Sequence, residues 1–176
     1  MTDTVGGLND LGEFLVHAIT LEDEAAEQYD DLADAMDVHN NTEVAALFRR
    51  MAGFSRMHAK EVRDKARGFD VPLPHIAPWE FRWPGNRSPE AALQEHTHYM
   101  MTPYHALAAA LEAERRGHAY YAAVAEHAGE TRIRRLAAEM ADEESEHVDI
   151  LLDWLGRYPE PENGWDEDPD PANIPE

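Results

Sequence analysis

The sequence predicts an all-α protein: an antiparallel four-helix bundle with a long crossover between helices two and three and an extra short helix before helix three. Three observations carry that expectation. Four apolar stripes recur at 3–4 spacing, two short polar breaks pair the helices, and one proline-rich segment separates the pairs. A 3–4 stripe is the buried face of a packed helix. Short connections make antiparallel neighbours, and one long crossover between two such pairs is a standard bundle connectivity.

Helix one is expected from about Asp10 to Asp37, ended by the polar run His39-Asn40-Asn41. Its stripe reads Leu15, Ala18, Glu22, Ala25, Tyr29, Leu32, Met36. Thr42 or Asn41 can cap helix two, which runs to about Gly68 with the stripe Val44, Phe48, Met51, Ser55, His58, Val62. Residues 69–88 contain four prolines and two tryptophans, too proline-rich for a helix and too apolar for a free linker. They read as a crossover lying along the bundle, anchored by Trp79 and Trp83. Ser88-Pro89-Glu90 has the form of a helix start: a hydroxyl cap, proline in the first turn, then an acid near the positive end of the dipole. That short helix should break at Thr102-Pro103.

The third long helix follows to about His127, with the stripe Leu107, Leu111, Glu114, His118, Tyr121, Ala125. A turn at Gly129 leads into the fourth, which runs to about Arg157 through Ile133, Ala137, Met140, Glu144, His147, Leu151, Trp154. Residues 1–157 are thus the expected bundle, and 158–176 an acidic, proline-rich tail, disordered or laid on the surface. Met51, Met57, Met100, Met101 and Met140 read as core filler, and His96 and His98 as surface residues.

Composition narrows the function. The 176 residues contain no cysteine, which removes disulfides, thiolate metal sites, iron–sulfur clusters and cysteine nucleophiles. A net charge of -21 argues against nucleic acid and anionic membrane surfaces as partners. No apolar run of spanning length or secretory leader is visible, so a soluble cytoplasmic protein is the default expectation.

The stripes themselves point to a metal. Each carries an acid, an imidazole or a hydroxyl where only core residues belong, near the middle of its helix. A carboxylate on a buried face is expelled or neutralised unless something offsets its desolvation. The halves also repeat: Glu22 and Tyr29 match Glu114 and Tyr121 at an offset of 92, and Ser55 and His58 match Glu144 and His147 at 89. Residues three apart on a helix share a face, so Glu144 and His147 can aim at one centre. In two-metal bundles, two helices give one Glu each and the other two give Glu-x-x-His pairs. By that pattern Glu22 and Glu114 are the single acids, and His58 belongs to the second pair, with Ser55 where its Glu should stand. Carboxylate plus imidazole with open positions suits iron or manganese, and zinc occupies such sites as well.

The segments LEDEAAEQY, LFRRMAGFSRMHAKEV, LEAERRGHAYY and LAAEMADEESEHVDIL resemble the four ligand helices of the rubrerythrin-like family within the ferritin-like di-iron carboxylate superfamily. The resemblance spans roughly residues 10–156, including the crossover, and implies a ferritin-like bundle and a homodimer. Two departures stand out. Ser55 takes the place of the acid that usually bridges the metals, and Gly117 that of a second acid on the third helix. A rubredoxin module, ligated by cysteine, has no place in these residues.

The expected metal ligands are therefore Glu22, His58, Glu114, Glu144 and His147, with His118, Glu61 and Ser55 as additional candidates. Tyr29 and Tyr121 are expected to pack beside the ligands and donate hydrogen bonds to them. Two divalent ions bring four positive charges, and Glu22, Glu114 and Glu144 offset three. An oxide, hydroxide or other anion would supply the balance in a two-ion site; otherwise the centre holds a single ion. The leading expectation is a protein holding one or two iron ions (manganese or zinc as alternatives) that oxidises ferrous iron or reduces dioxygen or peroxide. The sequence names no electron donor. The alternative is a redox-silent structural or carrier protein retaining a metal such as zinc, suggested by the missing bridge. A third reading is a metal-free bundle used for dimerisation.

Overall fold

The computed structural model of the chain describes residues 10–90 and 101–162. Among these, four long helices account for the bundle: α1 (Leu11–Val38), α2 (Thr42–Gly68), α3 (Pro103–His127) and α4 (Thr131–Leu155). Two short 3-10 turns, Pro78–Glu80 and Pro84–Asn86, punctuate the crossover, and no strand is present among the described residues. The helices pack as two antiparallel hairpins, α1 with α2 and α3 with α4. The predicted short helix before α3 covers residues 91–100, outside the described residues, as do Met100, His96 and His98. Of the predicted tail, only 158–162 are described.

Local chemistry sets the helix ends. The Asp10 carboxylate accepts from the Glu13 N–H at 2.8 Å and starts α1. Asn40, at φ 57°, turns the chain between α1 and α2, a left-handed conformation that asparagine tolerates. Asn41 occupies the cap position of α2, but its side chain makes no capping bond. Its amide instead donates to the His39 carbonyl at 3.4 Å, so the expected side-chain cap is absent. Thr102 caps α3, its hydroxyl accepting from the His105 N–H at 3.5 Å, with Pro103 in the first turn. The turn into α4 is held by Arg134, which donates to the carbonyls of Ala128 at 2.8 Å and Gly129 at 3.0 Å.

The crossover is pinned by one tryptophan. Trp83 is buried, stacked on Phe81 at 5.5 Å and edge-on to Tyr120 at 5.4 Å. Trp79 is 84 % exposed, which corrects its reading as a second anchor. The other anchor is His17 on α1, fully buried and edge-on to both Phe81 and Trp83. Its Nδ1 donates to the Glu13 carbonyl at 2.8 Å, and its Nε2 accepts from the Arg82 N–H at 3.0 Å. Burial lowers its pKa, which keeps it neutral in that tautomer. Gly12 permits close contact further along: a Cβ there would lie 2.6 Å from the Pro72 carbonyl oxygen.

The core forms two apolar clusters. One gathers Phe14, Leu15, Trp83, Tyr120, Val124 and Ile133; the other gathers Leu32, Met36, Phe48, Met51, Leu107 and Leu151. Met51, Met101 and Met140 are core residues as expected, whereas Met57 is 48 % exposed and fills no core. Fully burying each large apolar side chain contributes about 1.5–3 kcal/mol. Around mid-length the helices contribute a polar group instead.

Candidate metal centre

Glu22, Ser55, His58, Glu114, Glu144 and His147 are all buried at mid-helix. The tightest grouping is on the second hairpin, where Glu114, Glu144 and His147 each offer a ligand atom within 4.8 Å of the others. His147 Nδ1 lies 3.2 Å from Glu114 Oε2 and 3.7 Å from Glu144 Oε2. Glu144 also shares a hydrogen bond with Glu114. The Tyr29 hydroxyl, reaching across from α1, donates to Glu114 Oε1, while its ring stacks on Phe48 at 5.9 Å.

The first hairpin faces this group more loosely. His58 Nδ1 lies 3.8 Å from both Glu22 Oε2 and Glu143 Oε2. The His58 and His147 rings stack at 5.3 Å and 11°, and Phe54 stacks on His147 at 5.9 Å. The imidazoles of the centre thus come from α2 and α4, the acids from α1, α3 and α4, and the phenol from α1.

Electrostatics show what these groups lack. Burial, with Glu114 nearby, pushes the Glu22 and Glu144 carboxyls well above the usual glutamate range. Burial alone would raise Glu114 as well. Hydrogen bonds from Glu144, His147 and Tyr29 outweigh it and hold Glu114 low, as the ionised member. Burial alone would lower His147, but the hydrogen bond and charge of Glu114 raise it. His58 is lowered by burial and by its neighbour His147, which leaves a neutral imidazole with a lone pair to offer. Tyr121 is fully buried, and among the described residues its hydroxyl has no hydrogen-bond partner. Oxygen and nitrogen donors converging in a buried layer, partly held by protons, are the chemistry a divalent cation fits.

The additional candidates lie further out. Glu61 is exposed and acts on His58 only as a nearby charge. His118 is half-buried, because the buried face of α3 passes through Gly117 rather than His118. Steps of three and four residues from Glu114 both suit a helix, and the glycine is the one packed inward. A Cβ on Gly117 would stand 3.2 Å from Glu144 Oε1, so the missing side chain makes room for the Glu144 carboxylate. Ser55 is buried one turn before His58, as its place in the repeat requires.

Sequence reasoning missed two acids. Glu143 is half-buried beside His58 and had no place on the predicted stripe. Glu90 was read as a first-turn dipole acid, yet it is only 2 % exposed. Its charge acts on Glu22, Glu144, Tyr29 and Tyr121.

The arrangement and the four helices together match a known family. The rubrerythrin family model covers residues 13–77 and 105–171 of the chain. The chain belongs to the rubrerythrin family. A solved structure of an uncharacterised conserved protein from Magnetospirillum magnetotacticum MS-1 is 44 % identical to it. The likeness covers 86 % of this chain and 97 % of that one, with a TM-score of 0.71. No curated protein matches the chain. Within the family, this member has no cysteine for a rubredoxin module and no acid at Ser55 or Gly117. Among the described residues, no helix is long and apolar enough to cross a membrane.

Proposed function

We propose that this rubrerythrin-family protein binds iron in the buried layer and couples ferrous oxidation to reduction of dioxygen or peroxide. The observation that carries the reading is the convergence of Glu114, Glu144 and His147 within 4.8 Å, all buried. Bound iron would supply the electron steps that reduce the oxidant. Glu114 and Glu144 would hold it through their carboxylates and His147 through its ring, with Glu22 and His58 contributing from the first hairpin. Tyr29 fixes the orientation of Glu114 by its hydrogen bond. Glu22, Glu144 and His147 keep their protons to higher pH than usual, and those protons compete with the cation, so binding releases acid where the groups are protonated.

Anaerobic titration with ferrous iron, followed by air or peroxide, tests the proposal. The expected result is stoichiometric binding, then oxidation faster than in protein-free buffer. Absence of binding, or binding with no faster oxidation, overturns it. A homodimer is the setting this reading takes from the family, and the cytoplasm the one it takes from the sequence. Light scattering at twice the 19.9 kDa chain mass would support the dimer.

Ser55 favours a second reading, in which the centre retains zinc without turnover. Metal analysis separates the two: zinc that iron does not displace would favour the redox-silent protein. Manganese in place of iron would leave the site reading intact and change the oxidant chemistry.

A further inference from the structure

We propose that Glu143 of α4 is a ligand of the second metal position, sharing its ion with Glu22 of α1 and His58 of α2. The ion beside His58 thereby has a second carboxylate although α2 itself carries Ser55 in place of an acid. The inference rests on the metal-binding reading above and adds a ligand to it.

Distances carry the assignment. His58 Nδ1 lies 3.8 Å from Glu22 Oε2 and 3.8 Å from Glu143 Oε2, so carboxylates from α1 and α4 approach one nitrogen of α2 equally. That spacing is too long for a hydrogen bond. It suits two ligands of one ion, because metal bonds of about 2.0–2.2 Å place neighbouring donors roughly 3–4 Å apart.

The edge of α4 that carries Glu143 faces α2. One turn before it, Glu139 pairs with Lys65 of α2 at 2.9 Å. One turn after it, the His147 ring stacks on those of His58 and Phe54, both of α2, at 5.3 and 5.9 Å. Residues four apart on a helix share a face, so Glu143 is held between these contacts. Among the described residues no lysine or arginine pairs with it, and His58 is its one ion-pair partner. With 35 % of its side chain exposed against 4 % for Glu22, Glu143 is also the acid of this group that cations from solvent reach first.

Charge arithmetic agrees. Glu22, Glu114 and Glu144 offset three of the four positive charges of two divalent ions, and Glu143 supplies the fourth without an exogenous anion. The adjacent acids Glu143 and Glu144 then serve both positions from one helix. Glu144 joins Glu114 and His147, and Glu143 joins Glu22 and His58.

Cobalt(II) titration of the full chain under argon, read by calorimetry and visible absorption, tests this with wild type, Glu143→Gln and Glu139→Gln. Wild type is expected to take two ions. Glu143→Gln should keep the tighter one and bind the second at least about tenfold more weakly, with a shifted absorption band for that ion. Glu139→Gln removes the same charge one turn away and should leave both affinities nearly unchanged. Glutamine keeps the shape of these partly exposed side chains, so both variants should melt in chelator as wild type does. Unchanged affinity of the second ion in Glu143→Gln, or equal weakening in Glu139→Gln, would overturn the role of Glu143 and leave the metal site standing. A single ion in wild type, unaffected by Glu143→Gln, would do the same. No cobalt bound by wild type would overturn both.

Discussion

The two hairpins carry the same pattern and do different work. In α3–α4 the pattern is complete, and Glu114, Glu144 and His147 close to within 4.8 Å, with Gly117 clearing space for the Glu144 carboxylate. In α1–α2 a serine stands where the repeat demands an acid, so His58 has one acid of its own hairpin beside it, Glu22 at 3.8 Å, where His147 has Glu114 at 3.2 Å and Glu144 at 3.7 Å. The difference teaches that a pseudo-twofold bundle can keep one half of a site tight while the other half drifts.

Removing the metal should have the largest effect. At a free ion concentration about a thousandfold above its dissociation constant, binding to the folded state alone contributes about 4 kcal/mol, which chelation removes. Thermal melts with and without chelator measure it, and the gap should widen with pH. Glu22 and Glu144 hold their protons above the usual glutamate range in the folded chain. Above about pH 4.3 these two carboxyls keep protons in the metal-free folded state that they lose in the unfolded one. The lowered His17 and His58 act in the opposite sense below about pH 6.5. What the two carboxyls contribute to stability is present in acid and falls as pH rises through the raised values. Metal affinity moves the other way, because fewer protons compete. A chelated chain that gains stability between pH 7 and pH 9, above the histidine range, would contradict the electrostatics.

Next is Glu114→Gln, which breaks the strong hairpin at the group that Tyr29, Glu144 and His147 all engage. The tighter ion should weaken by about a hundredfold or more, the upper range for disturbing a metal site through its hydrogen-bonded partners. Glu22→Gln, on the weak hairpin, should leave that ion nearly unchanged and act on the second. Equal effects from the two variants, read by calorimetry, would remove the asymmetry between the hairpins.

Ser55→Glu restores the repeat and sharpens the comparison. It should tighten the second ion about tenfold and speed oxidation. It should also lower the chelated melting temperature, since another buried acid then lacks a counterion. If ion count, affinity and rate all stay unchanged, Ser55 does not occupy the bridging position. The smallest effect belongs to Tyr29→Phe, which deletes the hydrogen bond that orients Glu114 but no ligand. A loss of about tenfold or less in affinity is expected, with the number of ions unchanged.

Much of this was legible in the sequence. The helix ends fell within two residues of Leu11–Val38, Thr42–Gly68, Pro103–His127 and Thr131–Leu155, because Asn40, Gly68, Pro103 and Gly129 punctuate long apolar stripes. The acids and imidazoles of the site were visible as interruptions of those stripes. What stayed hidden depends on the path of the crossover. Ser88-Pro89-Glu90 reads the same whether its acid faces water or folds inward, and only tertiary packing decides. Trp79 and Trp83 have similar surroundings in sequence, yet His17 and Tyr120 receive only the second. His118 and Gly117 both continue the stripe from Glu114, and the choice between them was made by the Glu144 carboxylate across the interface.

The central claim is that the buried acids and imidazoles form a metal centre with one strong and one weak half. Calorimetric titration of metal-free wild type with anaerobic ferrous iron tests it most directly, repeated in buffers of different ionisation enthalpy. The account predicts two binding events of unequal affinity, each accompanied by proton release. No binding, or binding without release of protons, would contradict it.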